Sequence, residues 1–159
     1  MVQKIVVLGT GGTIAGQSSH AGDNVGYTAG QVTVSDLLLA IPGLDKVLGE
    51  RLLVAEQIAQ VDSKDMTFGI WRKLAQRCAD HLSDASVDAV LITHGTDTLE
   101  ETAFFLEQML TPELRHGKPL VLTCAMRPAS ALTPDGPQNL LDAAALAVDG
   151  RSGVYVVCA

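Results

Sequence analysis

No apolar run in this 159-residue chain approaches the ~18–20 residues of a membrane-spanning helix. The opening "MVQKIVVLGT" carries one lysine and an apolar stretch too short for a signal peptide, and leads straight into strand-like sequence. Basic residues are few: 11 Lys and Arg face 18 Asp and Glu, for a net charge of −7 and a pI near 4.9. That balance argues against nucleic acid or an anionic membrane as the main partner. Cysteine is also scarce. Cys78, Cys124 and Cys158 are odd in number, show no C-x-x-C spacing, and fall in two predicted strands and on one helix face. They read as small apolar fillers in a reducing cytoplasm. Internal repeats and low-complexity linkers are absent, which leaves one domain over residues 1–159.

What is present is an apolar chain (47% hydrophobic) in which β-rich runs alternate with helical patterns. With glycine counted, the apolar share exceeds the about 45–50% of an average domain. The excess points either to a surface meant for another domain or subunit, or to a parallel sheet covered on both faces. Strands are predicted at 4–8, 52–58, 88–93, 119–123 and 153–158, and helices at 35–41, 66–82, 98–110 and 138–148. In the second helix, Ile70, Trp71, Leu74, Cys78 and Leu82 recur at helical spacing; in the third, Leu99, Ala103, Leu106 and Leu110 do so. Glu100 and Glu101 suit a positive helix N-terminus, and Pro137 suits a first helical turn. Alternation of this kind implies parallel pairing through right-handed crossovers. The expected fold is a doubly wound, mainly parallel sheet in three α/β/α layers, with a flavodoxin-like arrangement. Residues 17–31 break the pattern as a long polar loop, and loops of that length in compact domains are usually functional or disordered. The final "GVYVVCA" reads as a buried strand without a cap, so the chain is expected to be part of a longer protein.

The glycine-rich "GTGGTIAG" (residues 9–16) follows the first strand. A dinucleotide fingerprint needs G-x-G-x-x-G/A opening a helix, but Ile14 stands where glycine or alanine belongs and a polar loop follows. A P-loop needs G-K-[ST], which is missing. The alternative is that small residues clear space around a working hydroxyl, Thr10 or Thr13. A second Gly-Thr pair ends the third strand in "LITHGTDTLEET" (91–102). In a doubly wound sheet ligands bind beyond the carboxyl ends of strands at the switch point, where Thr13 would meet Thr96 and Asp97. Hydroxyls with nearby backbone N–H groups suit acyl transfer by a hydroxyl nucleophile. The plainer reading is that Thr96, Asp97 or Thr98 merely caps the following helix. His94, Asp97, Glu100 and Glu101 lack the histidine spacing of a metal site. His94 is expected to bond loop backbone, and His20, His81 and His116 to be ordinary loop or surface residues.

Taken together, "TGGTIAG" (10–16), "THGTDTLEET" (93–102), "AMRP" (125–128) and "DGPQNL" (135–140) resemble the bacterial L-asparaginase / glutaminase-asparaginase family, in order over the whole chain. The resemblance covers the larger N-terminal domain and implies a smaller C-terminal domain beyond it. It implies that Thr13 is the nucleophile and that Tyr27 closes over the substrate on a flexible loop. Thr96 is implied as the second catalytic threonine, working with a lysine beyond the fifth strand, and Asp97 as the partner of the substrate α-ammonium. Ser63 is implied to hold the α-carboxylate. Lys64 departs from the family pattern and would either pair with that carboxylate or point outward into solvent. The expected reaction is amide hydrolysis of L-asparagine, or L-glutamine, without cofactor or metal, in a cytoplasmic homotetramer. These 159 residues alone are expected to be inactive. Two alternatives stand beside this: a nucleotide-binding or regulatory module, and the asparaginase-like subunit of a tRNA-dependent amidotransferase.

Overall fold

The structure, a computed structural model, describes residues 2–20, 23 and 25–159. Five strands, β1 (Lys4–Gly11), β2 (Leu52–Val61), β3 (Val87–Thr93), β4 (Pro119–Thr123) and β5 (Gly153–Val157), form one parallel sheet in the order β2-β1-β3-β4-β5. This is the flavodoxin-like order. Two short helices, α1 (Val34–Leu39) and α2 (Leu44–Leu48), join β1 to β2; α3 (Phe68–Ser83), α4 (Leu99–Met109) and α5 (Gly136–Asp149) make the later crossovers.

Alternation along the central strands builds the two faces. Val6, Leu8, Val90, Ile92, Leu120 and Leu122 pack under α3 and α4 with Leu74, Cys78, Leu82 and Leu106. Ile5, Val7, Ala89, Leu91 and Val121 pack on the other side under α1, α2 and α5. Each fully buried leucine or isoleucine here contributes about 1.5–3 kcal/mol. Because the sequel to β1 runs out one way and β3 returns to the other side of it, the crossovers change face between β1 and β3. In doubly wound sheets this switch of faces is where a ligand crevice forms, here at the carboxyl ends of β1 and β3.

Local chemistry sets the element ends. The Thr67 hydroxyl accepts the Ile70 N–H at 3.3 Å, so α3 starts at Phe68 rather than at 66. Pro137 sits in the first turn of α5, which begins two residues before the predicted 138. β1 continues past the predicted residue 8 because Gly11 pairs with Val61 beyond a register shift, carrying the strand into the glycines. The five-residue α2 was not expected; it is too short to show a period. β5 is a half-buried edge strand, with Val156 exposed, and not the buried strand its composition suggests. All three cysteines are free thiols: Cys78 and Cys124 are buried and Cys158 is exposed just past β5. Burial pushes the Cys124 thiol up to about 12.

His81 is no ordinary surface residue. In the last turn of α3 its Nε2 lies 2.7 Å from Glu56 Oε2, on the edge strand β2. Arg77 donates to both oxygens of the same carboxylate, at 2.7 and 2.9 Å. Arg77 chiefly, then His81, holds the Glu56 carboxyl down at about 2, against burial, which raises it. A depressed folded-state pKa means that the stabilisation is complete above the ordinary carboxylate range and is lost as the pH falls towards about 2. The melting temperature should therefore drop as the pH falls below the ordinary carboxylate range towards about 2. Melting curves of Glu56→Gln should show a flatter acid limb than the parent; an unchanged limb would remove this pair from the account.

Candidate active site

The crevice rests on a meeting of two backbones. Gly12, at φ 78°, lies against Gly95 so closely that a Cβ on either would collide: one on Gly12 with the Gly95 backbone, one on Gly95 with the Ser63 hydroxyl at 2.5 Å. Positive φ and lack of space together require glycine at position 12. The two threonines that follow these glycines, Thr13 and Thr96, therefore flank one contact.

The glycine segment does not open a helix. It passes into a single 3-10 turn, Thr13–Ala15, and then an antiparallel bridge between Gln17 and Thr28. That bridge bonds both ways, at 3.0 and 2.9 Å, and Gly30 N–H donates to the Gly12 carbonyl at 3.1 Å. Residues 21, 22 and 24 of the predicted 17–31 loop lie outside the described residues. The arc's return limb sets the Tyr27 hydroxyl 2.7 Å from Thr13 Oγ1. Thr13 is 9% exposed and so almost wholly buried. Thr10, the other hydroxyl in the loop, is buried and donates to the Thr93 carbonyl at 2.9 Å, so it ties β1 to β3. Geometry separates the two: Thr10 is committed to the Thr93 carbonyl, while Thr13 meets the Tyr27 hydroxyl.

From the β3 side, Thr96 is half-buried and Asp97 is exposed. The buried Ser63 hydroxyl, in a 3-10 turn at Ser63–Asp65, accepts the Asp97 N–H at 3.0 Å. Thr98 donates its hydroxyl to the Ser63 carbonyl at 2.8 Å. Thr98 occupies the N-cap position of α4 but makes no side-chain cap. The capping reading fails, and Thr98 braces Ser63 instead. Among the described residues the Thr96 side chain and the Asp97 carboxylate have no protein partner. Both remain available to a ligand.

Lys64 points away from Ser63 into a surface ion cluster, 2.5 Å from Asp62 and 3.5 Å from Asp65, and is 62% exposed. Its bond to Asp62 lowers the Asp62 pKa and raises that of Lys64. The outward alternative for Lys64 therefore describes it. His94 does bond loop backbone, its Nδ1 lying 2.7 Å from the Gly95 carbonyl. Its other nitrogen meets Thr102, which the sequence did not suggest. Among the described residues, no three His, Cys, Asp or Glu side chains gather in a metal-binding cluster.

The third wall comes from the loop after β4, whose two motifs prove to be one device. Asp135 accepts the N–H groups of Met126 and Arg127 at 2.8 and 2.9 Å. Burial alone would raise its pKa, but these N–H groups and the Arg127 charge outweigh burial and lower it. Asn139 Nδ2 donates to the Cys124 carbonyl at 3.0 Å, and its Oδ1 accepts the Ala159 N–H at 3.2 Å. One side chain thus joins the ends of β4 and β5. The Ala129 N–H donates to the Gly16 carbonyl at 3.0 Å, closing this wall onto the glycine segment. The sequence offered the motifs but no hint of this bracing, since Asp135 and Asn139 act through backbone partners far along the chain.

The Asparaginase, N-terminal family model matches residues 4–159. The chain belongs to the asparaginase family. It is 43% identical over 148 residues to a probable periplasmic L-asparaginase of Haemophilus influenzae, covering 93% of this chain and 40% of that protein. It is 40% identical, also over 148 residues, to a glutaminase-asparaginase of Pseudomonas aeruginosa, covering 93% and 39%. The crystal structure of a probable cytoplasmic L-asparaginase from Campylobacter jejuni superposes with a TM-score of 0.87 at 41% identity, over 98% of this chain and 46% of that one. The asparaginase chain described here thus spans less than half the length of these relatives. No helix among its described residues is long and apolar enough to cross a membrane.

The glycine contact yields a direct test within this asparaginase domain. Gly12→Ala forces a left-handed backbone on alanine and drives its methyl into Gly95, at a cost of roughly 2–5 kcal/mol. Urea unfolding should show a loss of stability of that size, and a variant as stable as the parent would contradict the close approach.

Proposed function

We propose that this chain is the larger, N-terminal domain of an amidohydrolase that converts L-asparagine to L-aspartate and ammonia. The observation that carries the reading is the Thr13–Tyr27 hydroxyl pair at 2.7 Å beside the Gly12–Gly95 contact. A buried threonine facing a crevice between two strand ends, with a tyrosine hydroxyl on it, has the arrangement of an activated nucleophile. Thr13 Oγ attacks the side-chain amide carbon, its proton passes within the site to the amide nitrogen, and the C–N bond breaks to release ammonia. Water then cleaves the resulting ester. Thr96 assists proton transfer, together with a lysine from beyond these 159 residues.

The flanking groups take the ends of the amino acid. The exposed Asp97 carboxylate pairs with the α-ammonium, and the Ser63 segment supports the α-carboxylate. Tyr27, on its tied arc, closes the crevice and excludes water. Neither cofactor nor metal has a step in this scheme. The relatives' names include both asparaginases and glutaminase-asparaginases, so L-glutamine is the competing substrate to assay. We place the protein in the cytoplasm, supported by three free thiols in a chain with no disulfide. Exposed Phe68, Phe104, Met126 and Leu132 support further assembly, and the family resemblance suggests a homotetramer built from close dimers.

In the full-length protein carrying this domain, Thr13→Ala and Thr96→Val should each lower kcat for L-asparagine by at least about 10³-fold. Asp97→Ala should weaken L-aspartate binding about 10–100-fold, because it leaves an ammonium without its counter-charge. Ordinary turnover by the Thr13 variant would transfer the nucleophile role elsewhere. The 159-residue chain by itself should release ammonia about 10²–10⁴-fold more slowly or worse, for want of a proton-transfer partner. A rate near that of the full-length protein would show that these residues hold the complete machinery.

A further inference from the structure

One polar chain runs from the helical layer to the crevice and has no part in the chemistry above. Trp71 Nε1, on α3, lies 2.8 Å from Thr102 Oγ1 on α4. The same hydroxyl lies 3.0 Å from His94 Nε2, and His94 Nδ1 lies 2.7 Å from the Gly95 carbonyl. Thr102 and His94 are both fully buried. Trp71 is held in place by stacking on Phe105, with ring centroids 5.7 Å apart, and by an edge contact with Phe68 at 5.4 Å.

The chemistry of its two ends gives this chain one direction. An indole N–H only donates, so the Thr102 oxygen accepts from Trp71. At the other end the Gly95 carbonyl only accepts, so a neutral His94 presents a lone pair at Nε2, and the Thr102 hydroxyl, its oxygen already taking the indole N–H, gives its proton to that lone pair. The proton of a neutral imidazole is left on Nδ1, facing a carbonyl that only accepts. The opposite tautomer would set the Nδ1 lone pair against the carbonyl oxygen at 2.7 Å. Burial keeps the ring neutral by lowering its pKa, against the Gly95 carbonyl and Glu101, which raise it.

We propose that Trp71, acting through Thr102, locks His94 in its Nδ1–H tautomer and thereby fixes the Gly95–Thr96 peptide at the crevice. Trp71 and Thr102 are positioning residues for Thr96, a role that rests on the amidohydrolase reading of Thr96. In a planar trans peptide the carbonyl and the next N–H point in opposite directions. Drawing the Gly95 carbonyl towards the buried ring therefore turns the Thr96 N–H away from it, to the crevice side. Among the described residues that N–H donates to no protein group. The same pull sets the starting direction of the Thr96 side chain. An indole on the far side of a helix pair thus specifies the orientation of a peptide at the reacting centre.

The test uses the full-length protein labelled with ¹⁵N-histidine and read by solid-state NMR, with the His94 signals identified by their loss in His94→Gln. The expected spectrum has a protonated Nδ1 and a bare Nε2. Thr102→Val keeps the shape and removes the hydroxyl; Trp71→Phe keeps an aromatic ring and removes the donor. Each should mix the tautomers and lower kcat for L-asparagine about tenfold or more, with KM little changed. Thr102→Ser should restore both the spectrum and the rate. An Nε2–H tautomer in the parent protein, or a parental kcat in both Thr102→Val and Trp71→Phe, overturns the proposal. If the parent protein hydrolyses no amide, the amidohydrolase reading falls, while the spectrum alone still decides the tautomer lock.

Discussion

The crevice depends on two backbones touching where side chains would ordinarily keep them apart. Gly12 and Gly95 end neighbouring strands at the switch of crossover faces, and neither has room for a methyl group. The groups given roles in the proposed reaction are arranged around that contact. Thr13 and Thr96 follow it along their chains, Ser63 lies against it, and the Tyr27 arc is tethered to the Gly12 carbonyl through Gly30. A larger residue would force these two strand ends apart, so the same feature limits stability and, in the proposed reaction, chemistry.

Around this contact the polar groups divide into those that hold and those that remain available. Thr10, Thr98, Asp135 and Asn139 each bond backbone atoms distant in sequence, joining β1 to β3, Ser63 to α4, and β4 to its loop and to β5. Burial makes the Thr10 and Asn139 bonds to β3 and β4 costly to break, because an unpaired polar group away from water loses about 1–3 kcal/mol. Thr96 and Asp97, by contrast, sit in the same loops without protein partners among the described residues. A rigid frame carrying a few unsatisfied groups is what preorganised catalysis requires.

The sequence made some of this legible and hid the rest, for physical reasons. Strand and helix periods follow from burial on regular elements, so the five strands and four longer helices could be read directly. The stripe of Leu74, Cys78 and Leu82 is buried as its spacing indicates. Alternation cannot register a five-residue helix such as α2, or a strand that continues into glycines as β1 does. Of the site, the Gly-Thr pairs were visible because strand ends announce themselves. The difference between Thr10 and Thr13 was visible only through family resemblance, since it turns on which way each side chain faces. The Trp71–Thr102–His94 chain was invisible for a related reason: Trp71 looked like one more member of an apolar stripe, and its polar edge meets a partner 31 positions away.

The tethering of the Tyr27 arc has a consequence for how this region tolerates change. The bridge between Gln17 and Thr28 fixes the two ends of the segment between them. Closure entropy grows only logarithmically with length, and doubling such a loop costs about 0.6 kcal/mol. Extra residues between the bridged ends would leave the melting point nearly untouched, while those placed next to Tyr27 would move the phenol off Thr13. Insertions in this arc should therefore be silent to any screen for folding and conspicuous to a screen for turnover, which makes the arc a place where the two properties can be varied independently.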